Sequence, residues 1–181
     1  MKANALTLGG ILVALSVVLL YLSTFIPTNT LVLLTLVSFM PPIALMEKGL
    51  KTALLVYICT TLSSLLFIPL NITLLYLLFF GIYGIIKGLI ERINKPFLEI
   101  VLKLLFFNSI FLISVFLLSS LLGINVLNSL MTHLTYFKTK PLNSNTRFLI
   151  LFGIVQPIFL IYDYALTLLV GHYDEIFTRH H

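Results

Sequence analysis

The sequence predicts an all-α integral membrane protein: one domain, residues 1–181, built as a bundle of six transmembrane helices. Two observations carry this expectation. Hydrophobic side chains make up 60% of the 181 residues and charged ones 9%, with a mean hydropathy of +1.13, whereas soluble domains carry about 25% charged residues and rarely exceed ~50% apolar. In addition, apolar runs near the ~20 residues needed to cross a bilayer recur along the chain, separated by joints that carry Pro, Asn or charge. Too little chain is left for a soluble catalytic or nucleotide-binding domain.

The first span is expected at about residues 5–26. Lys2 followed by Leu6 to Phe25 has the outline of a secretory signal, but the run is too long for one and no small-x-small cleavage site follows, so it is read as a retained helix. An uncharged joint, Ile26-Pro27-Thr28-Asn29, leads to the second span at about 29–46. The basic turn Glu47-Lys48-Gly49-Leu50-Lys51 precedes the third at about 50–68. A second uncharged joint, Ile68-Pro69-Leu70-Asn71, precedes the fourth at about 71–90. The fifth follows Arg92 and Lys95 at about 97–122, and the sixth runs over about 147–171. The long joint from Gly123 to Asn145 carries His133, Tyr136, Lys138, Lys140 and Asn143. Loops of that length in compact proteins are often lids or binding loops.

The basic residues sit singly at the ends of apolar runs, which speaks for topology signals and against a nucleic-acid surface. With both termini in the cytoplasm, the inner side collects Lys2, Lys48, Lys51, Lys87, Arg92, Lys95, Lys103 and Arg179, and the outer side keeps Lys138, Lys140 and Arg147. Cytoplasmic loops carry the excess of Lys and Arg, so six helices with N and C termini inside a bacterial cytoplasmic membrane are expected. Cys59 cannot form an internal disulfide on its own. The terminal pair His180 and His181 supports no metal inference, and neither metal nor cofactor is expected.

Enzymes that work within membranes need an intramembrane aspartate pair, a zinc-binding H-E-x-x-H, or a serine with a histidine base. The sequence has none of these and no G-x-x-x-x-G-K-[ST] phosphate loop, so an enzyme is not expected. Energy for any transport has to come from a partner or an ion gradient. The one aspartate in the spans, Asp163, is expected to pair with Lys87 or Lys103.

Polar side chains inside spans are costly unless they face the bundle interior or a cavity. Tyr57, Thr60, Thr61 and Ser64 share one face of the third span, Asn71 and Tyr76 lie on the fourth, Asn108 on the fifth and Gln156 on the sixth. These eight residues are the candidate substrate site, open to the outer leaflet. The plainer reading of each is an interhelical hydrogen bond worth ~0.6 kcal/mol. Small residues form a second signal: Ala5, Gly9, Gly10 and Ala14 on the first span and Gly84 with Gly88 on the fourth, at the four-residue spacing that lets two helices approach closely.

The stripe from Leu6 to Leu15, the Ile26-Pro27 joint, the second apolar span and the basic turn at Glu47 to Lys51 together resemble the substrate-binding S component of energy-coupling-factor transporters. The similarity covers the chain loosely and residues 5 to 70 best. It implies an S-component-like bundle that captures a small vitamin-like solute under extracytoplasmic loops, and a membrane coupling protein with two ATPases as partners. It further implies a docking surface on the first helix, at Gly10 and Ala14 with Ala5 and Gly9 beside them. The metal-binding members use an N-terminal histidine, which Met1-Lys2-Ala3-Asn4-Ala5 lacks. The rod-complex cell-shape membrane protein resembles the same architecture and implies the alternative, a scaffold that binds protein partners and transports nothing.

Overall fold

In a computed structural model, described for residues 3–26, 29–93, 95–122 and 144–178, the chain is helical almost throughout. Six helices are long and apolar enough to cross a membrane: Ala3–Phe25, Thr30–Lys48, Leu50–Phe67, Leu70–Ile93, Pro96–Leu117 and Phe152–Tyr173. These match the six expected spans to within a few residues. Residues 123–143, expected from the sequence as the long outer joint with His133, Lys138 and Lys140, lie outside the described residues, as do Lys2, Pro27, Thr28, Arg179, His180 and His181.

The elements are α1 (Ala3–Phe25), α2 (Thr30–Val37), α3 (Met40–Lys48), α4 (Leu50–Phe67), α5 (Leu70–Leu75), a π-helical turn (Tyr76–Phe80), α6 (Gly81–Ile90), a 3₁₀ turn (Glu91–Ile93), α7 (Pro96–Leu122) and α8 (Ser144–Thr178). Two spans depart from the uninterrupted helices read in the sequence. The second breaks at Ser38-Phe39 because Pro41 and Pro42 supply no N–H to the carbonyls of Val37 and Ser38. The fourth carries the π turn, where the Gly81 N–H reaches back five residues to the Tyr76 carbonyl.

Spans one to four form the tight part of the bundle. α1 packs along α4, and α3 along α4 and α6. The inward face of α1 is Ala5, Gly9, Leu12, Ser16, Leu20 and Ser23, a step of three or four residues that keeps one stripe turned to its neighbours. The Ser16 and Ser23 hydroxyls donate to the carbonyls of Leu12 and Leu20, so no polar hydrogen is stranded on that face. Gly84 and Gly88 do the same job for the fourth span. A Cβ on Gly84 would collide with the Pro42 ring, and one on Gly88 would come within 2.8 Å of Leu45. The glycines are what let the fourth span lie against the proline break of the second. At the α3–α4 turn, Gly49 adopts φ 84°, a left-handed conformation that favours glycine.

Spans five and six are applied to this body more sparingly. Phe107 of α7 stacks on Phe159 of α8 at 4.2 Å between ring centroids, and both meet Phe79 of the π turn. Phe39, at the break of the second span, joins Tyr83, Phe107, Phe159 and Leu166 in the buried cluster where α6, α7 and α8 meet.

Candidate functional site

The eight predicted substrate residues fall into two groups and one outlier. On the third and fourth spans, the Tyr57 hydroxyl donates to the Leu77 carbonyl at 2.8 Å. Leu77 sits inside the π turn, where helical pairing is shifted by one residue, so the tyrosine covers an acceptor that the bulge disturbs. Thr61 and Ser64 bond back to their own helix, to the carbonyls of Tyr57 and Thr61, and Thr73 donates to the Ser64 carbonyl at 3.3 Å, joining α5 to α4. Thr60 and Tyr76 are both fully buried. Tyr76 packs beside Tyr57, and the two rings close over Gly81, where a Cβ would lie 2.7 Å from Tyr57 and 2.9 Å from Tyr76. This face is packed protein. On the fifth and sixth spans, the Gln156 amide donates to the Asn108 side-chain oxygen. Asn71 stands exposed at the start of the fourth span. Among the described residues no hydrogen bond joins the two groups, and none of the eight lines any of the three cavities described here.

The docking set also divides. Ala5 and Gly9 face inward, and a Cβ on Gly9 would rest at ordinary distance from Thr52 and Val56 of α4. They are internal packing residues, as their place on the buried stripe requires. Gly10 and Ala14 face outward, with nothing within 4 Å of a Cβ on Gly10. They line a groove of about 550 Å³ between α1 and α4, continued by Val17, Leu55, Cys59 and Ser63.

The densest chemistry lies elsewhere, at the end of the bundle that carries the basic turns. Asp163 of α8 does pair with Lys87, at 2.7 Å, and also with Lys103 of α7, at 3.3 Å. Glu91 completes the cluster, accepting from Lys87 at 2.6 Å and from Lys103 at 2.8 Å. The Tyr83 hydroxyl donates to the Asp163 carboxylate at 2.6 Å, and the Thr167 hydroxyl donates to the Asp163 carbonyl while accepting from Lys87 at 2.8 Å. The Lys87 ammonium thus has three acceptors for its three hydrogens. Its side chain is 3% exposed. Two cations and two anions balance, which is the condition for burying charge in a membrane interior. A niche of about 40 Å³, lined in part by Gly84, Lys87, Gly88 and Glu91, lies beside the cluster.

The sequence points to the lysine–aspartate pairing but not to Glu91, and it marks Tyr83 as a polar residue on the face of Tyr76 without tying it to that pair. Their signal was present: Tyr83, Lys87 and Glu91 recur at four-residue steps on one face of the fourth span, as ion-pairing helical neighbours do. Among the described residues no group of three or more His, Cys, Asp or Glu is placed to hold a metal ion.

Fold and site together define a multi-pass helical membrane protein whose fourth, fifth and sixth spans are joined by a buried, charge-balanced cluster. No family model, curated protein or solved structure matches the chain.

Proposed function

We propose that the chain is a partner-dependent membrane subunit, the solute-capture component of an importer of the S-component kind, in a bacterial cytoplasmic membrane with both termini inside. It performs no chemistry of its own, binds a small vitamin-like molecule at the extracytoplasmic end and relies on a membrane coupling protein and ATPases for energy. The observation that supports this reading is the groove along α1 and α4. Gly10 and Ala14 leave its floor open to a close-packed partner helix, while Ala5 and Gly9 are used inside. Two measurements test it. A screen of vitamin- and nucleobase-like solutes against the purified protein should find a compound that raises its melting temperature by mass action, and Gly10→Leu or Ala14→Leu should abolish copurification with a coupling protein while leaving the melting temperature of the isolated chain unchanged. A complete screen without a shift, or normal assembly by both variants, overturns the proposal.

A second reading, the non-transporting scaffold of cell-envelope machinery, has its own support. The polar residues proposed as a substrate site are largely engaged with each other and with the backbone: Tyr57 with Leu77, Thr61 and Ser64 with α4, Gln156 with Asn108. That reading expects stable copurification with a membrane protein other than a coupling subunit and no stabilising solute.

A further inference from the structure

We infer that the chain is built from three copies of one helical hairpin running in the same direction, and that the buried ion cluster is the surface by which the third copy recognises the second. The inference does not rest on the transport reading.

The sequence supplies the first observation. The outer turn of the first hairpin reads Phe25-Ile26-Pro27-Thr28-Asn29 and that of the second Phe67-Ile68-Pro69-Leu70-Asn71, identical at four of five positions and 42 residues apart. Self-similarity at a period of about 20–50 residues marks a repeated supersecondary unit. Ahead of the sixth span the motif returns as Pro141-Leu142-Asn143, and a threonine follows each asparagine within three residues: Thr30, Thr73 and Thr146.

The first two hairpins also share their hydrogen bonds. α1 ends at Phe25 and α4 at Phe67. In the last turn of each, a buried serine hydroxyl donates to the carbonyl three residues back, Ser23 to Leu20 at 2.6 Å and Ser64 to Thr61 at 2.8 Å. The carbonyl of that same serine accepts from a threonine in the descending helix, Thr30 at 3.4 Å and Thr73 at 3.3 Å. Both descending spans leave the α-helical pattern at a matching level, at Ser38-Phe39 in the first and over Tyr76–Phe80 in the second, and Ser38 and Phe80 are again 42 residues apart. Pro-x-Asn alone is an ordinary turn sequence, but a turn preference supplies neither this shared brace nor the matched distortion. Packing follows the same rule. Gly9 of α1 faces Thr52 of α4, Pro42 faces Gly84 and Leu45 faces Gly88. These partners are 42 or 43 residues apart, so ascending span lies on ascending span and descending on descending at one height.

The third copy attaches by charge. Glu91 and Asp163 both stand 22 residues after the proline of their own turn, and both accept from Lys87 and Lys103. The first copy has Gly49 at the position of the acids and Leu45 at that of Lys87. Copies one and two therefore join through glycine, proline and leucine where copies two and three join through ions. Copies one and three meet at Phe39, which packs with Phe159 and Leu166 beside a half-open groove of about 340 Å³ edged by Leu36 and Leu169.

The test exchanges turns in the full chain. Residues 27–30 are replaced by the sequence of Pro69–Thr73, by that of Pro141–Thr146, or by the latter in an order that displaces its Pro, Asn and Thr. The first two chains should melt within about 4 °C of wild type in mixed micelles, the scale of about 1 kcal/mol in a chain of this size, and the reordered one more than about 8 °C below. If the Pro69–Thr73 chain melts with the reordered one, the hairpins are not copies. If the Pro141–Thr146 chain alone does so, the third hairpin is not one of the set. A reordered chain as stable as wild type shows a turn indifferent to its sequence and overturns the inference too. For the recognition surface, Lys87→Leu with Glu91→Gln leaves Lys103 paired with Asp163 and should raise amide exchange about fivefold over residues 159–166 without changing it over 9–20. Exchange that is unchanged, or raised equally in both segments, overturns that role of the cluster.

Discussion

Lys87 and Asp163 sit 76 positions apart in sequence and meet at 2.7 Å inside the bundle, each having a second partner of opposite charge. The pair is not an isolated salt bridge. It is the centre of a four-charge cluster whose removal from water is tolerable because every member is paired.

Asp163→Asn leaves Lys87 and Lys103 sharing Glu91 alone, so a buried positive charge goes uncompensated. The expected loss is about 3–5 kcal/mol, the cost of breaking a buried pair from one side, and Asp163→Glu should lose much less. Equilibrium unfolding in mixed micelles compares the three chains. A loss below about 1 kcal/mol for Asp163→Asn would mean that water or lipid headgroups already solvate the cluster.

Gly84→Leu and Gly10→Leu form a contrasting pair. The first drives a side chain into the Pro42 ring and should destabilise by about 1–3 kcal/mol or more through overpacking. The second meets nothing within 4 Å and should leave the isolated chain as stable as wild type. Thermal melting of both, side by side, checks the assignment of one glycine to internal contact and the other to an open face.

Tyr57→Phe removes the hydroxyl that serves the Leu77 carbonyl in the π turn. The stability change should be small, about 0.6 kcal/mol for a membrane hydrogen bond. The local effect should be larger: amide hydrogen exchange over 77–81 should rise while exchange in α1 does not. Equal exchange in both segments would show that the bulge keeps its geometry without the tyrosine.

Asn108 and Gln156 should be coupled. Replacing each by Leu, singly and together, closes a double-mutant cycle whose interaction energy is expected near 0.6 kcal/mol and below about 1.7 kcal/mol. A cycle that sums to zero would mean that the amides bond elsewhere in the bilayer.

The six spans were legible because bilayer thickness imposes a length and an apolarity that any sequence must display. The Asp163 pairing was legible for a related reason: an aspartate in a span needs a cation, and Lys87 and Lys103 were the ones in reach. Glu91 stood at a helix end, where an acid normally faces solvent, so its turn inward toward two lysines was hidden in the tertiary arrangement. The Ser38-Phe39 break followed from Pro41 and Pro42, which an unbroken apolar run masked. The π turn at Tyr76–Phe80 left no local signature, since nothing in Tyr-Leu-Leu-Phe-Phe distinguishes five-residue from four-residue pairing. The small-residue stripe was read as one surface, although Gly9 and Gly10 are neighbours and neighbouring helical residues point about 100° apart, which separates one for packing inside and the other for the outside.

The chain emerges N-terminus first, so the charges of the cluster are supplied in sequence order. When the fourth span enters the membrane, Lys87 already has Glu91 one turn away and the pair is neutral. The fifth span then brings Lys103 to the same carboxylate, which leaves two cations to one anion until the sixth span follows. Asp163 arrives last and restores the balance. A chain truncated before residue 163 therefore carries a buried-site lysine without its counter-ion, a mark of incompleteness by which half-made molecules differ from finished ones before any function is exercised.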